Sequence, residues 1–205
     1  MVLPHVFKPY ELISSVSVSF TRLPIDWVEA SIDAPIIQIS NKLGFPAGFS
    51  LESSFQTIYV SNQFRIGPHW NAEVGRFSFA VGIDAGLLLG SMKISGFNNK
   101  ATGWMIYPTA SIGFTANKIA FTISAERNTL QSLKISSGDA VTSDFKNFKS
   151  GQTVSVYIEQ RLWKKHVLIL GFLSNFQKFY FPAWPAFSAF NKRYYIPQFF
   201  IGLVL

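Results

Sequence analysis

Cysteine is absent from the sequence. That excludes disulfides, thiolate metal sites and a cysteine nucleophile, and it fits an oxidising compartment without requiring one. Long apolar runs are absent too. A membrane-spanning helix needs about 20 consecutive apolar residues, and the purest runs here, Val167 to Leu173 and Ile196 to Leu205, are much shorter. Charge is scarce: Asp, Glu, Lys and Arg make up 14% of the chain, against about 25% in an ordinary soluble domain. A signal peptide is not visible either. Met1 to Tyr10 contains Pro4, His5, Lys8 and Pro9 and lacks an apolar core, so an exported form is expected to have lost its leader or to start further upstream.

What the chain does have is apolar and aromatic content in strand-sized pieces. Hydrophobic residues are 48% of the total and aromatics 16%, with 21 Phe, and a membrane-spanning strand needs only about 9 to 11 residues. Glu11 to Arg22 sets Leu12, Val16, Val18 and Phe20 against Ile13, Ser15, Ser17, Ser19 and Thr21. Arg76 to Gly90 sets Phe77, Phe79, Val81, Ile83, Ala85, Leu87 and Leu89 against a face of small residues with Asp84 among them. Period-two alternation of this kind predicts strands with one polar and one apolar face.

Eight strands are expected, at about 11–22, 49–66, 76–90, 104–115, 119–130, 153–162, 167–181 and 194–205. Residues 23–48 read as a linker in which Ile36 to Leu43 is either a short helix or a partial strand. The change of parity within 49–66 reads as a bulge. Gly67 to Gly75, with His69 and Trp70, reads as a turn, and Ser91 to Gly103 and Gln131 to Gly151 read as long polar loops. Long and short connections then alternate, and an even count puts both termini at one end. The expected fold is a single domain over 1–205, an all-β, eight-stranded, antiparallel up-and-down transmembrane β-barrel. Trp104, Phe179, Tyr180, Phe181, Trp184, Phe187, Phe190, Tyr194 and Tyr195 gather at the outer rim and Trp70, Phe77, Phe114 and Trp163 at the other, as interfacial rings do.

These alternating strands, aromatic belts and an apolar C-terminal strand resemble the small outer-membrane barrels of Gram-negative bacteria, the OmpA and OmpX type, and are similar to uncharacterised barrels of Bacteroidota. The resemblance implies that the last strand, with Phe199, Ile201, Leu203 and Leu205 in alternation, is read by the barrel-assembly machinery; Leu205 stands where that family usually ends in Phe. It also implies residence in the outer membrane with lipid and lipopolysaccharide as surroundings.

Candidate chemistry is sparse. Glu52, Arg65, Asp84, Glu126, Glu159 and Arg161 fall on inward faces, where charges must pair or stay hydrated. A narrow barrel filled by side chains is expected to be plugged by such a network. Lys93, Lys100, Arg127, Lys146, Lys149, Lys192 and Arg193 lie toward the outer rim, where they either hold lipopolysaccharide phosphates or keep loops soluble. The Pro182 to Phe190 loop is too apolar to stand free, so it folds down as a lid or meets lipid or a protein partner. No nucleic-acid partner is expected despite the charge of +7, because the basic residues form no stripe. Neither a cofactor nor a metal is expected, since ligand types are not clustered. His5, His69 and His166 fall away from the outer leaflet, which argues against a lipid-modifying enzyme. The reading is a structural or interaction barrel, with an accessory place in a larger complex. The alternatives are a soluble lipocalin-like barrel for an apolar ligand and, behind it, an enzyme.

Overall fold

The computed structural model describes residues 2, 4–23, 33–94, 97–138, 140–163, 166–186 and 192–205. Ten antiparallel strands close into one barrel: β1 (Leu12–Arg22), β2 (Asp33–Gly44), β3 (Phe49–Ile58), β4 (Ser61–Val74), β5 (Phe77–Ile94), β6 (Phe97–Ala116), β7 (Ile119–Ser137), β8 (Ala140–Arg161), β9 (Val167–Gln177) and β10 (Tyr194–Val204). Each strand pairs with its sequence neighbours, and β10 pairs back onto β1, with Val18 opposite Ile201 and Phe20 opposite Phe199. Closure leaves no open sheet edge. Both termini lie at one end, here called the lower end, and the first turns there are short: Pro46–Gly48 in a 3-10 turn, Gly75 with Arg76, and Asn117 with Lys118. Gly75 and Asn117 have φ near +60°, the left-handed geometry that tight hairpins need.

The eight-strand expectation is corrected to ten. One missing strand is β2, whose Ile37 and Ile39 point out while Ile36 turns in. The other comes from the stretch 49–66, which is a hairpin with Tyr59 and Val60 at its turn. Phe55 opposes Phe64 across that turn, one odd and one even number, so the switch of parity marks a change of strand and not a bulge. Gly67 to Gly75 is likewise no turn: all but Gly75 belongs to β4, with His69 opposite Gly82. The stretches read as long polar loops are strands too, for β5 to β8 run up as two tall hairpins, Lys100 pairing with Ser91 and Lys134 with Asp144. The expected alternation of long and short loops therefore does not hold. Residues 24–32 lie outside the described part.

Two prolines interrupt the ladder. Pairing between β4 and β5 lapses at Gly67 and Pro68, and pairing between β6 and β7 lapses at Tyr107 and Pro108, because proline has no N–H to donate. Bulges at the upper ends matter more. An extra residue, Gln131, shifts β7 against β6, so that Leu130 and Leu133 both point inward and are fully buried. Ser150 is the extra residue of β8 against β7, which aims its hydroxyl inside.

Sidedness reverses along the height of the tall strands. Low and in the middle, the outward side chains are apolar, including Phe79, Val81, Ile83, Ile112, Phe121, Ile123, Val156 and Ile158, and the inward ones are polar, including Ser78, Asp84, Thr122 and Ser155. Higher up, Leu88, Ala101, Leu130 and Leu133 are buried inside, with Phe145 and Phe148 packed on them, while Lys100, Lys134 and Lys146 are exposed outside.

Candidate functional site

The upper mouth is occupied by the segment after β9. Phe179, Tyr180, Phe181 and Trp184 are each at most 8% exposed and join Ile36, Leu88, Leu130, Leu133 and Ile196 in one apolar cluster. These four rings were expected at an outer aromatic rim; they are inside it, since only there can an apolar loop be covered. Hydrogen bonds fix the segment. The Ser150 hydroxyl donates to the Phe179 carbonyl at 2.6 Å, the Ser61 hydroxyl to the Pro182 carbonyl at 3.2 Å, and the Trp184 indole to the Val60 carbonyl at 3.1 Å. Tyr180 exchanges a hydrogen bond with Thr21 at 2.9 Å and donates to Gln198 at 3.2 Å. Of the loop expected over 182–190, residues 187–190 lie outside the described part.

The lower mouth is crossed by the segment before β1. Pro4 and Phe7 are buried, and the Val2 amide donates to Glu159 at 2.7 Å. His5 pairs with Glu73, which also accepts from the Val6 amide at 3.0 Å.

Between the two segments lies a polar chamber of about 280 Å³ lined from all ten strands. A ten-stranded barrel is wider than an eight-stranded one, so inward side chains do not fill it. Its two walls differ. One wall carries an ionic chain running from β2 to β7. Lys42 sits directly opposite Glu52 and pairs with it at 2.7 Å. Glu52 lies 3.7 Å from His69, whose other ring nitrogen meets Asp84 at 2.8 Å. Arg65 then takes Asp84 at 3.0 Å and Glu126 at 2.5 Å. To reach β7 from β4, Arg65 passes over the Tyr107 ring with its guanidinium 3.9 Å from the ring centre, a cation–π contact. Tyr107 is itself held by Gln63 and by the Met105 sulfur, 3.2 Å away.

The other wall is neutral. Thr153 donates to Asn175 at 2.9 Å, Asn175 to Gln198 at 3.3 Å, and Gln198 to Ser19 at 2.6 Å. This relay crosses β8, β9, β10 and β1, and Tyr180 ties it to the upper segment.

Of the six inward charges expected from sequence, the structure brings Glu52, Arg65, Asp84 and Glu126 together. Glu159 is buried but stands lower, with Val2. Arg161 is exposed at the foot of β8 and takes no part in the chamber lining. Sequence reading missed Lys42, His69, Tyr107 and the amides of the neutral wall. Lys42 was legible in principle, because Gln38, Ser40 and Lys42 alternate with Ile37 and Ile39. Among the rim residues, Lys93, Lys100, Arg127, Lys146, Lys149, Lys192 and Arg193 are all exposed. Phe199, Ile201, Leu203 and Leu205 all face outward.

Fold and site together define an all-β, antiparallel, up-and-down ten-stranded barrel with an apolar outer belt and a polar lumen. No protein-family profile matches the chain, and no curated protein matches it in sequence. Among solved structures it is similar to Neisserial surface protein A, with 11% identity over 95% of this chain and 96% of that one at a TM-score of 0.47. It is also similar to the translocator domain of the autotransporter NalP from Neisseria meningitidis, with 9% identity over 94% and 87% of the two chains at 0.46. A third is the CymD monoaromatic hydrocarbon channel, with 8% identity over 82% and 60% at 0.41. Likeness at this level carries no argument, and the class rests on the geometry of the chain itself.

Proposed function

We propose that this chain is an integral β-barrel of a bacterial outer membrane whose lumen is closed to ions and whose role is structural or interactive. The observation that carries the reading is the reversal of sidedness along β5 to β8. A surface that is apolar outside and polar inside at mid-height, and the opposite above, matches a wall that leaves hydrocarbon and enters water. The outward belt runs around every strand, from Val16 and Phe20 on β1 to Phe199 and Ile201 on β10. No single protein partner covers a closed ring of that kind; lipid does.

Closure of the lumen is supported by the two segments that cross its mouths and by the ionic chain between them. The exposed lysines Lys93, Lys100, Lys134 and Lys146 face sideways above the apolar belt, which supports a contact with lipopolysaccharide phosphates by charge-assisted hydrogen bonds. The outward residues of β10 are the ones offered to an assembly machinery. A place as accessory subunit of a larger complex remains part of the proposal. A lipocalin-like solution would need the aliphatic faces inward, and here they point out. An enzymatic role finds little support: His69 faces two carboxylates, His166 lies 3.2 Å from the Val204 carbonyl, and His5 meets Glu73.

Detergent phase separation and planar-bilayer recording test the proposal. The protein is expected in the detergent phase and to give no stable conductance. Recovery from the aqueous phase as a soluble monomer would sink the membrane reading, and steady unitary currents would sink the closed lumen.

A further inference from the structure

The outer face of β7 and β8 carries an order of chemical types from mid-height upward. Ile123 stands opposite Val156 and Ala125 opposite Val154, an exposed apolar track. Arg127 and Lys149 come next as diagonal neighbours, since Arg127 is opposite Gln152 and Lys149 is opposite Thr129. Thr129 and Ser132 follow. Above them Lys134 and Lys146 are diagonal neighbours in the same way, opposite Asp144 and Ser132. Diagonal positions on two paired strands lie about 7 Å apart, so the long side chains of each pair can close on one small anion.

A bulge makes this order possible. Lys146 and Lys149 are three residues apart, a spacing that in a regular strand sets side chains on opposite faces. Gln131 and Asn147 are left out of the ladder together, and Asn147 takes a left-handed φ of 50°, a conformation that costs energy outside glycine. Both lysines are exposed as a result, and re-aiming of side chains is what bulges do.

Charge on this face is uncompensated. Lys100, Arg127, Lys134, Lys146 and Lys149 are exposed there, and Asp144 is the one acidic residue with them among the described residues. Neighbouring like charges repel, and an anion shared between two of them relieves the repulsion. The patch is also local. Strands β2 to β4 carry two basic residues, Lys42 and Arg65, and both line the chamber.

We propose that this face docks one molecule of a lipid with two phosphate groups at the ends of a disaccharide, the form of lipid that anchors lipopolysaccharide. One phosphate lies between Arg127 and Lys149, the other between Lys134 and Lys146, and the acyl chains lie on the track of Ile123 and Val156. The midpoints of the two pairs are about four ladder steps apart, or about 13 Å at about 3.3 Å per step, a gap that a disaccharide spans. Trp104, exposed beside Ser132, offers the apolar face of its ring to the sugars. A phospholipid with a single phosphate fills one pair and leaves the other. The site rests on the membrane reading above and narrows its lipopolysaccharide contact to two strands.

The test uses the full chain folded in detergent micelles, with heat-modifiable migration and detergent phase separation as independent reports of the barrel. A folded, detergent-phase protein that does not bind sinks the site and leaves the membrane reading standing. Native mass spectrometry with diphosphoryl lipid A is expected to show one molecule retained per chain. Retention is expected to exceed that of monophosphoryl lipid A, phosphatidylglycerol and cardiolipin about tenfold, the worth of one charge-assisted hydrogen bond. R127Q with K149Q, and K134Q with K146Q, are each expected to lower it about tenfold and to remove the preference for the second phosphate. K118Q with R161Q takes the same charge from exposed positions at the lower end and is expected to leave retention unchanged. Equal retention of any of the three comparison lipids, or an equal loss in the lower-end variant, would overturn the inference. If one upper variant does not fold, the other decides.

Discussion

The indole of Trp184 lies against Gly90, where a Cβ would come within 2.5 Å of its Nε1. The contact belongs to a row on the inward face of β5. His69 covers Gly82, Tyr107 covers Gly86 and Trp184 covers Gly90, so three glycines four residues apart each leave room for one ring. Two of those rings belong to the chamber and the third to its upper closure. The small-residue face of β5 thus sets the depth at which the lumen is furnished.

Replacing Gly90 with alanine is therefore expected to push the indole off the wall and loosen the upper segment. Overpacking of this kind costs about 1–3 kcal/mol, readable as a lower urea midpoint in detergent. Gly75, whose added Cβ meets nothing within 4 Å, is strained by its φ instead and makes an unsuitable control; S136A on β7 is preferable. Equal midpoints for G90A and wild type would show that the indole has slack.

Arg65→Met is expected to be more damaging. It leaves Asp84 and Glu126 without their shared guanidinium, and breaking a buried pair by removing one partner costs about 3–5 kcal/mol. The triple change R65M, D84N, E126Q is expected to recover much of that loss, because it removes the stranded charges as well. Denaturant titration of the two variants checks the order; a triple variant no more stable than R65M would mean that packing on Tyr107, not charge, is what Arg65 supplies.

How far the sequence reached can be judged at particular residues. Alternation is strict on β1, β5, β6 and the part of β7 below Gln131, so the faces of Ser17, Phe79, Asp84 and Glu126 were readable from residue numbers alone. The strand count was not, because Tyr59 and Val60 make a turn without glycine, asparagine or a positive φ, and Pro35 disguises β2. The tall hairpins were hidden for a different reason. Above the apolar belt the outward residues are polar and the inward ones apolar, so their hydropathy looks like that of a loop. The ionic chain was half legible: inward charges could be named, but that Arg65 spans from β4 to β7 follows from ring stacking on Tyr107, and no local pattern encodes that.

Alkaline pH is expected to loosen the upper closure. Burial pushes the Tyr180 phenol above its ordinary range, with the hydrogen bond to Thr21 opposing it. A raised value in the folded state means stability that is whole below the unfolded phenol's range, about pH 10, and is lost as pH rises from there through the folded value. Y180F is expected to remove that part of the alkaline loss. Unfolding midpoints of both proteins between neutral and strongly alkaline pH check it; parallel curves would assign the loss to other groups.

Removing 201–205 is expected to prevent closure. Ile201, Gly202, Leu203 and Val204 pair with β1 on one side and with β9 on the other, so the truncated chain exposes two unpaired edges. Heat-modifiable migration and protease resistance report the outcome. A truncated chain that still resists protease would show that β9 can close onto β1.

The central claim, that the barrel wall passes from lipid into water along β5 to β8, is open to one direct measurement. Because the chain has no cysteine, single cysteines at Ile83, Ile123 and Ile158 in the belt and at Lys100, Lys134 and Lys146 above it can each carry one spin label in lipid vesicles. The account predicts that the belt labels are relaxed by oxygen and shielded from a water-soluble nickel chelate, and that the upper labels show the reverse. Belt labels as open to the nickel chelate as the lysine positions would contradict it.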